Sequence, residues 1–312
     1  MKWQKLGLLY KPENEKSWMK SHASIPIVRS SGDGKLRVYF STRNMKGLSY
    51  PTYLEVAADN PLRILKLPGD VLLKHGLPGT FDDAGIMSSW LVEDEDSTRL
   101  WMYYIGWNKK DTVPYHLSIG LAESNDGGVT FMKHSNGPLL DRGISEIYFN
   151  TAPCVLKDND QWRMWYVSGT GWQKIRDRFE PKYLIRHAVS DDGINWEKYN
   201  EPCIGYSEDT EAIGRPCVFR ENGLFKMLYS YRMLDGYRTD PKKSYRLGYA
   251  ESADGIKWRR RDELVGIQRS EAGWDSEMMC YCYYYKAQDR ALLFYNGNGF
   301  GSSGIGVAVR EY

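Results

Sequence analysis

The sequence has little cysteine, no long apolar run and no surplus of either charge, and each shortage removes a class of protein. The five cysteines (Cys154, Cys203, Cys217, Cys280 and Cys282) contain no CxxC pair. An odd number without paired spacing predicts reduced thiols rather than a disulfide framework or a zinc site. Cys280 and Cys282, two apart, face one side of a strand and read as packing residues. The longest apolar runs fall far short of the roughly 18 residues of a membrane span. The N-terminal stretch MKWQKLGLLYKPENEK carries charges throughout, so the expectation is no secretory signal and a cytoplasmic location. With 42 Lys and Arg against 40 Asp and Glu, the balance argues against a dedicated binder of nucleic acid and against membrane insertion. Hydrophobic residues at 42% and charged residues at 26% exclude a disordered chain. Helix-period stretches are essentially absent.

What the chain has in quantity is aromatic residues: 11 Trp, 23 Tyr and 9 Phe. Strands favour them, and so do surfaces that stack on flat ligands. They recur with a period. Ser-x-Asp-Gly cores begin at Ser124, Ser190 and Ser252, spaced by 66 and 62 residues. A second series, LRVYF, LWMYY, RMWYV, KMLYS and LLFYN, places an aromatic at Phe40, Tyr104, Tyr166, Tyr229 and Tyr295, each after a polar turn (GDGK, EDEDST, KDNDQ, RENG, AQDR). A third series opens each unit: SIPIV, IMSSWLV, TAPCVL, GRPCVF and MMCYCYYY. Each unit reads as strand, tight turn, strand, loop, strand, Asp-Gly turn, strand.

Five four-stranded units of about 60 residues predict an all-β, five-bladed β-propeller with four-stranded antiparallel blades, one domain over residues 1–312. The aromatic that starts the outer strand is Phe131, Trp196 and Trp258 in units two to four. Unit five lacks one, and Trp3 supplies the match, so residues 2–10 are expected to form the outer strand of the last blade and close the ring.

In a propeller the loops entering the innermost strands form the mouth of a central funnel. Those loops carry Asp82 and Asp83 in unit two, Asn150 in unit three, Glu208, Asp209 and Glu211 in unit four, and Asp275 and Glu277 in unit five. Counting five residues back from Ser88, Pro153, Pro216 and Cys280 gives Asp83, Tyr148, Glu211 and Asp275. Converging carboxylates raise one another's pKa, which suits acid/base cleavage of a glycosidic bond; the alternative is that they cap turns. The Asp-Gly acids Asp126, Asp192 and Asp254 read as structural.

The five-unit layout, SDDGINWEKYNEP, the FDDAG and EAIGRP openings and the ending GWDSEM…LLFYNGNGFGSSGIGVAV resemble the five-bladed propeller glycosidases, the superfamily of glycoside hydrolase families 32, 43, 68 and 130. The resemblance covers nearly the whole chain. It implies a carbohydrate substrate and, on the family-43 pattern, an Asp base, a second orienting Asp and a Glu proton donor. The donor matches Glu211. The blade-one Asp is replaced in His22-Ala-Ser-Ile-Pro and the unit-three Asp-Pro in Asn150-Thr-Ala-Pro153, which leaves Asp83, Asp275 or Glu277 as base or orienting carboxylate, with Asp82 beside them. The expected activity is inverting cleavage or transfer at the funnel. The alternatives are a glycosyltransferase or phosphorylase-type enzyme of polysaccharide biosynthesis, and a non-catalytic carbohydrate-binding propeller.

Other candidate contacts to substrate are His22, Arg43, Asn150, Arg215 and Trp274, with Trp90, Trp107 and Trp172 as possible stacking platforms. Arg215 suits a carboxylate, phosphate or sulfate. The segments 44–51, 107–115, 171–181 and 235–244 are basic and aromatic, and at the mouth they would favour an anionic portion on the substrate. No cofactor and no metal are expected. The glycine-rich run Gly297–Gly304 lacks GK[ST] and a following helix, and no His/Cys/Asp cluster has metal-ligand spacing.

Overall fold

The computed structural model describes residues 1–93 and 99–311; most of the EDEDST turn lies outside the described residues. The architecture is nearly all β. After β1 (Gln4–Tyr10), strands β2 (Ser21–Gly32), β3 (Lys35–Arg43), β4 (Ser49–Ala57) and β5 (Ile64–Lys66) form the first antiparallel unit. The second is β6 (Gly85–Glu93), β7 (Leu100–Lys109), β8 (Tyr115–Ser124) and β9 (Met132–Lys133), joined to the first by one parallel pair, Ser49 with Gly85. The third is β10 (Asn150–Asp158), β11 (Gln161–Ile175), β12 (Arg178–Ser190) and β13 (Glu197–Tyr199). The fourth is β14 (Glu211–Glu221), β15 (Leu224–Met233), β16 (Arg246–Ser252) and β17 (Arg259–Arg260). In the fifth, β18 (Cys280–Lys286), β19 (Arg290–Asn296) and β20 (Ile305–Glu311) are completed by β1, which pairs antiparallel with β20. No helix among the described residues is long and apolar enough to cross a membrane.

The aromatic series occupies the second strand of each unit, and those strands are buried on both faces. Phe40, Tyr104, Tyr166, Tyr229 and Tyr295 are each fully buried, which is why their strands read as continuous apolar runs rather than as an alternation. The Ser-x-Asp-Gly turns interlock the units. In the third and fourth, the serine Oγ accepts from the glycine N–H, at 2.9 Å for Gly193 and 2.8 Å for Gly255. The glycine carbonyl then accepts from an aromatic of the preceding unit: Tyr103 Oη to Gly193 at 2.8 Å, and Trp165 Nε1 to Gly255 at 2.7 Å. Tyr39 Oη does the same to Gly128 at 2.9 Å. Gly193 has φ +74°, and a Cβ there would press on Trp101 and Tyr103, so glycine is required twice over.

The five opening strands touch one another in the order β2, β6, β10, β14, β18 and back to β2. Each is interrupted by a bulge in its pairing with the second strand, β2 at three places. In four of them the bulged residue is non-glycine at positive φ: Ile25 (+56°), Ala152 (+47°), Arg215 (+54°) and Tyr281 (+54°). A bulge re-aims a side chain, and these four line one cavity.

Candidate ligand cavity

The cavity has a volume of about 380 Å³, within the ~300–1,000 Å³ usual for small-molecule sites. Its walls come from the bulges of the opening strands, the ends of the second strands, the starts of the third strands and the loops between them. Of the four basic, aromatic segments, 107–115 contributes Trp107 and Tyr115, 171–181 contributes Arg178 and Glu180, and 235–244 contributes Tyr237 and Arg238. Segment 44–51 contributes nothing, although Arg43 just before it does.

Charge in this cavity is one-sided. Arg43, Arg178, Arg215, Arg232 and Arg238 line it together with one carboxylate, Glu180. Arg238 grips Glu180 through Nε at 3.0 Å and Nη2 at 3.2 Å, and Tyr237 Oη donates to it at 2.5 Å. Burial pushes the Glu180 pKa up, but these donors outweigh it and hold the carboxyl below its ordinary value. Arg232 lies 3.8 Å from the Tyr237 ring centroid and donates to Tyr245 Oη, Met233 O and Pro181 O. Arg43 makes no ion pair among the described residues; burial, with repulsion from Arg238, lowers its pKa.

The acids singled out from sequence are elsewhere. Each unit from the second to the fifth contains a bridge in which a carboxylate accepts from the tyrosine of the second strand and from a cation on the outer strand. Asp82 takes Tyr104 Oη at 2.9 Å and Lys133 Nζ at 2.6 Å. Glu146 takes Tyr166 Oη at 2.9 Å and Lys198 Nζ at 2.6 Å. Asp275 takes Tyr295 Oη at 3.0 Å and Lys5 Nζ at 2.6 Å. In unit four Asp262 takes Tyr229 Oη and Arg260, which also grips Glu211 at 2.8 and 3.1 Å. Unit one has Phe40 in place of the tyrosine.

Glu211, Asp83, Asp275 and Glu277 are therefore not brought together in the cavity. Glu211 and Asp275 are buried and neutralised by cations. Asp83 caps a turn, accepting from Gly79 N and Asn108 Nδ2 at 2.8 and 2.9 Å, and Glu277 is exposed. The fixed count back from the opening strand reaches the tyrosine-bound acid only in unit five: it selects Asp83 for Asp82 and Tyr148 for Glu146, because the entering loops differ in length, and Glu211 where Asp262 of the loop after β17 takes the tyrosine.

Among the other candidates, Arg43 and Arg215 line the cavity, as does Trp107. His22 shares a hydrogen bond with Ser21 Oγ at 2.8 Å, and burial together with Arg43 lowers its pKa to about 4. Asn150 is buried against Glu146, its Nδ2 donating at 3.1 Å. Trp274 stacks on Tyr295 with centroids 5.1 Å apart, and Trp172 packs on Tyr115 and Phe149, so both fill space beside the strands. Trp90 lines a second cavity of about 580 Å³ formed by the far ends of the same opening strands. Sequence reasoning missed Arg232, Tyr245, Tyr281 and Phe300, which also line the first cavity.

The fold is similar to that of glycoside hydrolases of GH43 and GH32 type, which are five-bladed β-propeller enzymes. One solved structure described as a glycoside hydrolase superposes with a TM-score of 0.77 at 19% identity, over 99% of this chain and 91% of that one. A thermostable family-43 glycoside hydrolase gives 0.67 at 14% identity, over 95% and 91%. The Bombyx mori GH32 beta-fructofuranosidase BmSUC1 gives 0.63 at 18% identity, over 93% of this chain and 62% of that one. By sequence the chain belongs to the family of two Mycobacterium tuberculosis proteins, Uncharacterized protein MT1551 (35% identical) and Uncharacterized protein Rv1502 (34% identical), each matched over 312 residues and the whole of both chains. No protein-family model matches the chain.

Proposed function

We propose that the five four-stranded units close into one five-bladed β-propeller domain, with β1 closing the last blade, and that its central cavity binds a carbohydrate carrying an anionic group. The ring order of contacts between opening strands supports the closure. The observation that carries the ligand assignment is the cavity wall: five arginines facing one already engaged carboxylate, interleaved with aromatic faces. Guanidinium groups suit carboxylate and phosphate oxygens, and aromatic faces suit sugar rings.

Inverting hydrolysis asks for two available carboxyls ~6.5–9.5 Å apart. Glu180 is clamped as an ion, and the bridge acids are occupied by lysine, arginine and tyrosine. This favours recognition of an anionic saccharide within a glycosidase fold over acid/base cleavage by Glu211 with Asp83, Asp275 or Glu277. The five buried, unpaired thiols support a reducing, cytoplasmic setting.

An NMR-monitored screen of neutral, carboxylated and phosphorylated saccharides tests this reading, with and without inorganic phosphate. Saturable shifts confined to anionic sugars, without turnover, are expected. Glycosidic cleavage that disappears in Glu211→Gln while the variant stays folded would replace it with the hydrolase reading. Turnover that requires inorganic phosphate would replace it with phosphorolysis.

A further inference from the structure

Two arginines on this cavity are equally buried, each 2% exposed, yet their surroundings differ. Arg232 has every guanidinium nitrogen matched to a protein oxygen. Arg215 has Nε and Nη2 without a hydrogen-bond partner among the described residues, and its Nη1 reaches only Pro216 O, at 3.3 Å. The titratable groups that act on it most are Cys217, Cys154, Cys282 and Tyr283, and no carboxylate among the described residues forms an ion pair with it. Burial raises the pKa of all four, so they stay neutral. A guanidinium is charged at any ordinary pH, and a buried charge without a counter-charge is strongly unfavourable.

The backbone spends conformational strain to hold it there. Arg215 is the bulged residue of β14 at φ +54°, a region a non-glycine side chain rarely adopts. Its bulge equivalents Ile25, Ala152 and Tyr281 bring no cation. The Arg215 guanidinium carbon lies 5.8 Å from the ring centroid of Trp90. Trp90 belongs to the cavity at the other end of the same strands, so Arg215 closes the inner end of the first.

We propose that Arg215 is an oxyanion receptor at the inner end of the cavity, its incompletely matched guanidinium pairing with one carboxylate or phosphate group of the ligand. Arg232 is a structural arginine that shapes the wall. The assignment rests on the cavity being the ligand site and names the group that sets its specificity.

The test is isothermal titration of the full chain with inorganic phosphate, glucuronate, glucose 6-phosphate and glucose, comparing wild type with Arg215→Met, and thermal melts of both. Binding of at least one oxyanion to the wild type is expected, weakened tenfold or more in Arg215→Met. The two sugar acids separate a carboxylate from a phosphate source. Without ligand, Arg215→Met should melt at the wild-type temperature or above it, because an unmatched charge is removed, whereas Arg232→Met should melt lower. Failure of every oxyanion to bind the wild type, or affinity within twofold in Arg215→Met, overturns the assignment. Phosphate binding through Arg215 with no saccharide binding keeps the receptor and removes the carbohydrate reading. Saccharide binding that ignores Arg215→Met does the reverse.

Discussion

Arg260 on β17 holds both carboxylate oxygens of Glu211, the first residue of β14, at 2.8 and 3.1 Å. Ser207 N donates to the same group at 2.8 Å. A carboxylate so engaged locks the entry of an opening strand to the outer strand of its own sheet.

Glu211→Gln should therefore act on stability. Losing the charge-assisted bonds of a buried acid costs about 1–3 kcal/mol, since Arg260 keeps Asp262 as a partner. Urea denaturation checks this; an unchanged midpoint would show that the bridge contributes nothing.

The recurring hydroxyl-carboxylate-cation bridge makes a graded prediction at Asp275, which is 1% exposed. Tyr295→Phe leaves Lys5 in place and should cost about 1–2 kcal/mol. Lys5→Met strands a buried carboxylate and should cost more, about 3–5 kcal/mol. The order of the two denaturation midpoints is the readout, and a reversed order would contradict the bridge.

Removing residues 1–10 should leave little folded protein. The deletion uncovers the edge of β20 and discards buried Trp3, Leu9 and Tyr10. At ~1.5–3 kcal/mol for each large apolar side chain, the loss is comparable with the ~5–15 kcal/mol that holds a typical protein folded. Circular dichroism and gel filtration of the truncated chain decide it; a monomer with a native-like melt would show that β1 is dispensable.

His187 supplies a pH dependence. It is buried between Trp165 and Tyr199 with both ring nitrogens unpartnered among the described residues, and burial, with Arg163, lowers its pKa from 6.5 to about 4. Between those values the unfolded chain takes up a proton that the folded chain refuses. Stability is thus fullest above pH 6.5 and falls as pH drops toward 4, by a few kcal/mol at most. His187→Phe should flatten that part of the stability profile, and an unaltered slope would locate the proton uptake elsewhere.

The bridges were partly legible before any coordinates. An aromatic is followed two residues later by a cation in Phe131–Lys133, Trp196–Lys198, Trp258–Arg260 and Trp3–Lys5, the same spacing in all four units that carry a bridge. Read together with the tyrosine series, that pattern assigns the acids a structural partner. The acids alone resemble a catalytic set, because residue type and recurrence do not say which way a side chain turns.

The sequence by itself determined the repeating four-stranded unit, since strand periodicity, Asp-Gly turns and buried aromatics are local signals. It also determined which segment supplies the twentieth strand's partner, through Trp3. Only the tertiary structure decided what the charges do. Whether Asp275 faces a lysine or a ligand, and whether Arg215 or Arg232 is left with unmatched nitrogens, depends on groups far apart in the chain and on bulges that re-aim a side chain. Local spacing marks the cation of each bridge, but which group it meets is set by residues far apart in the chain.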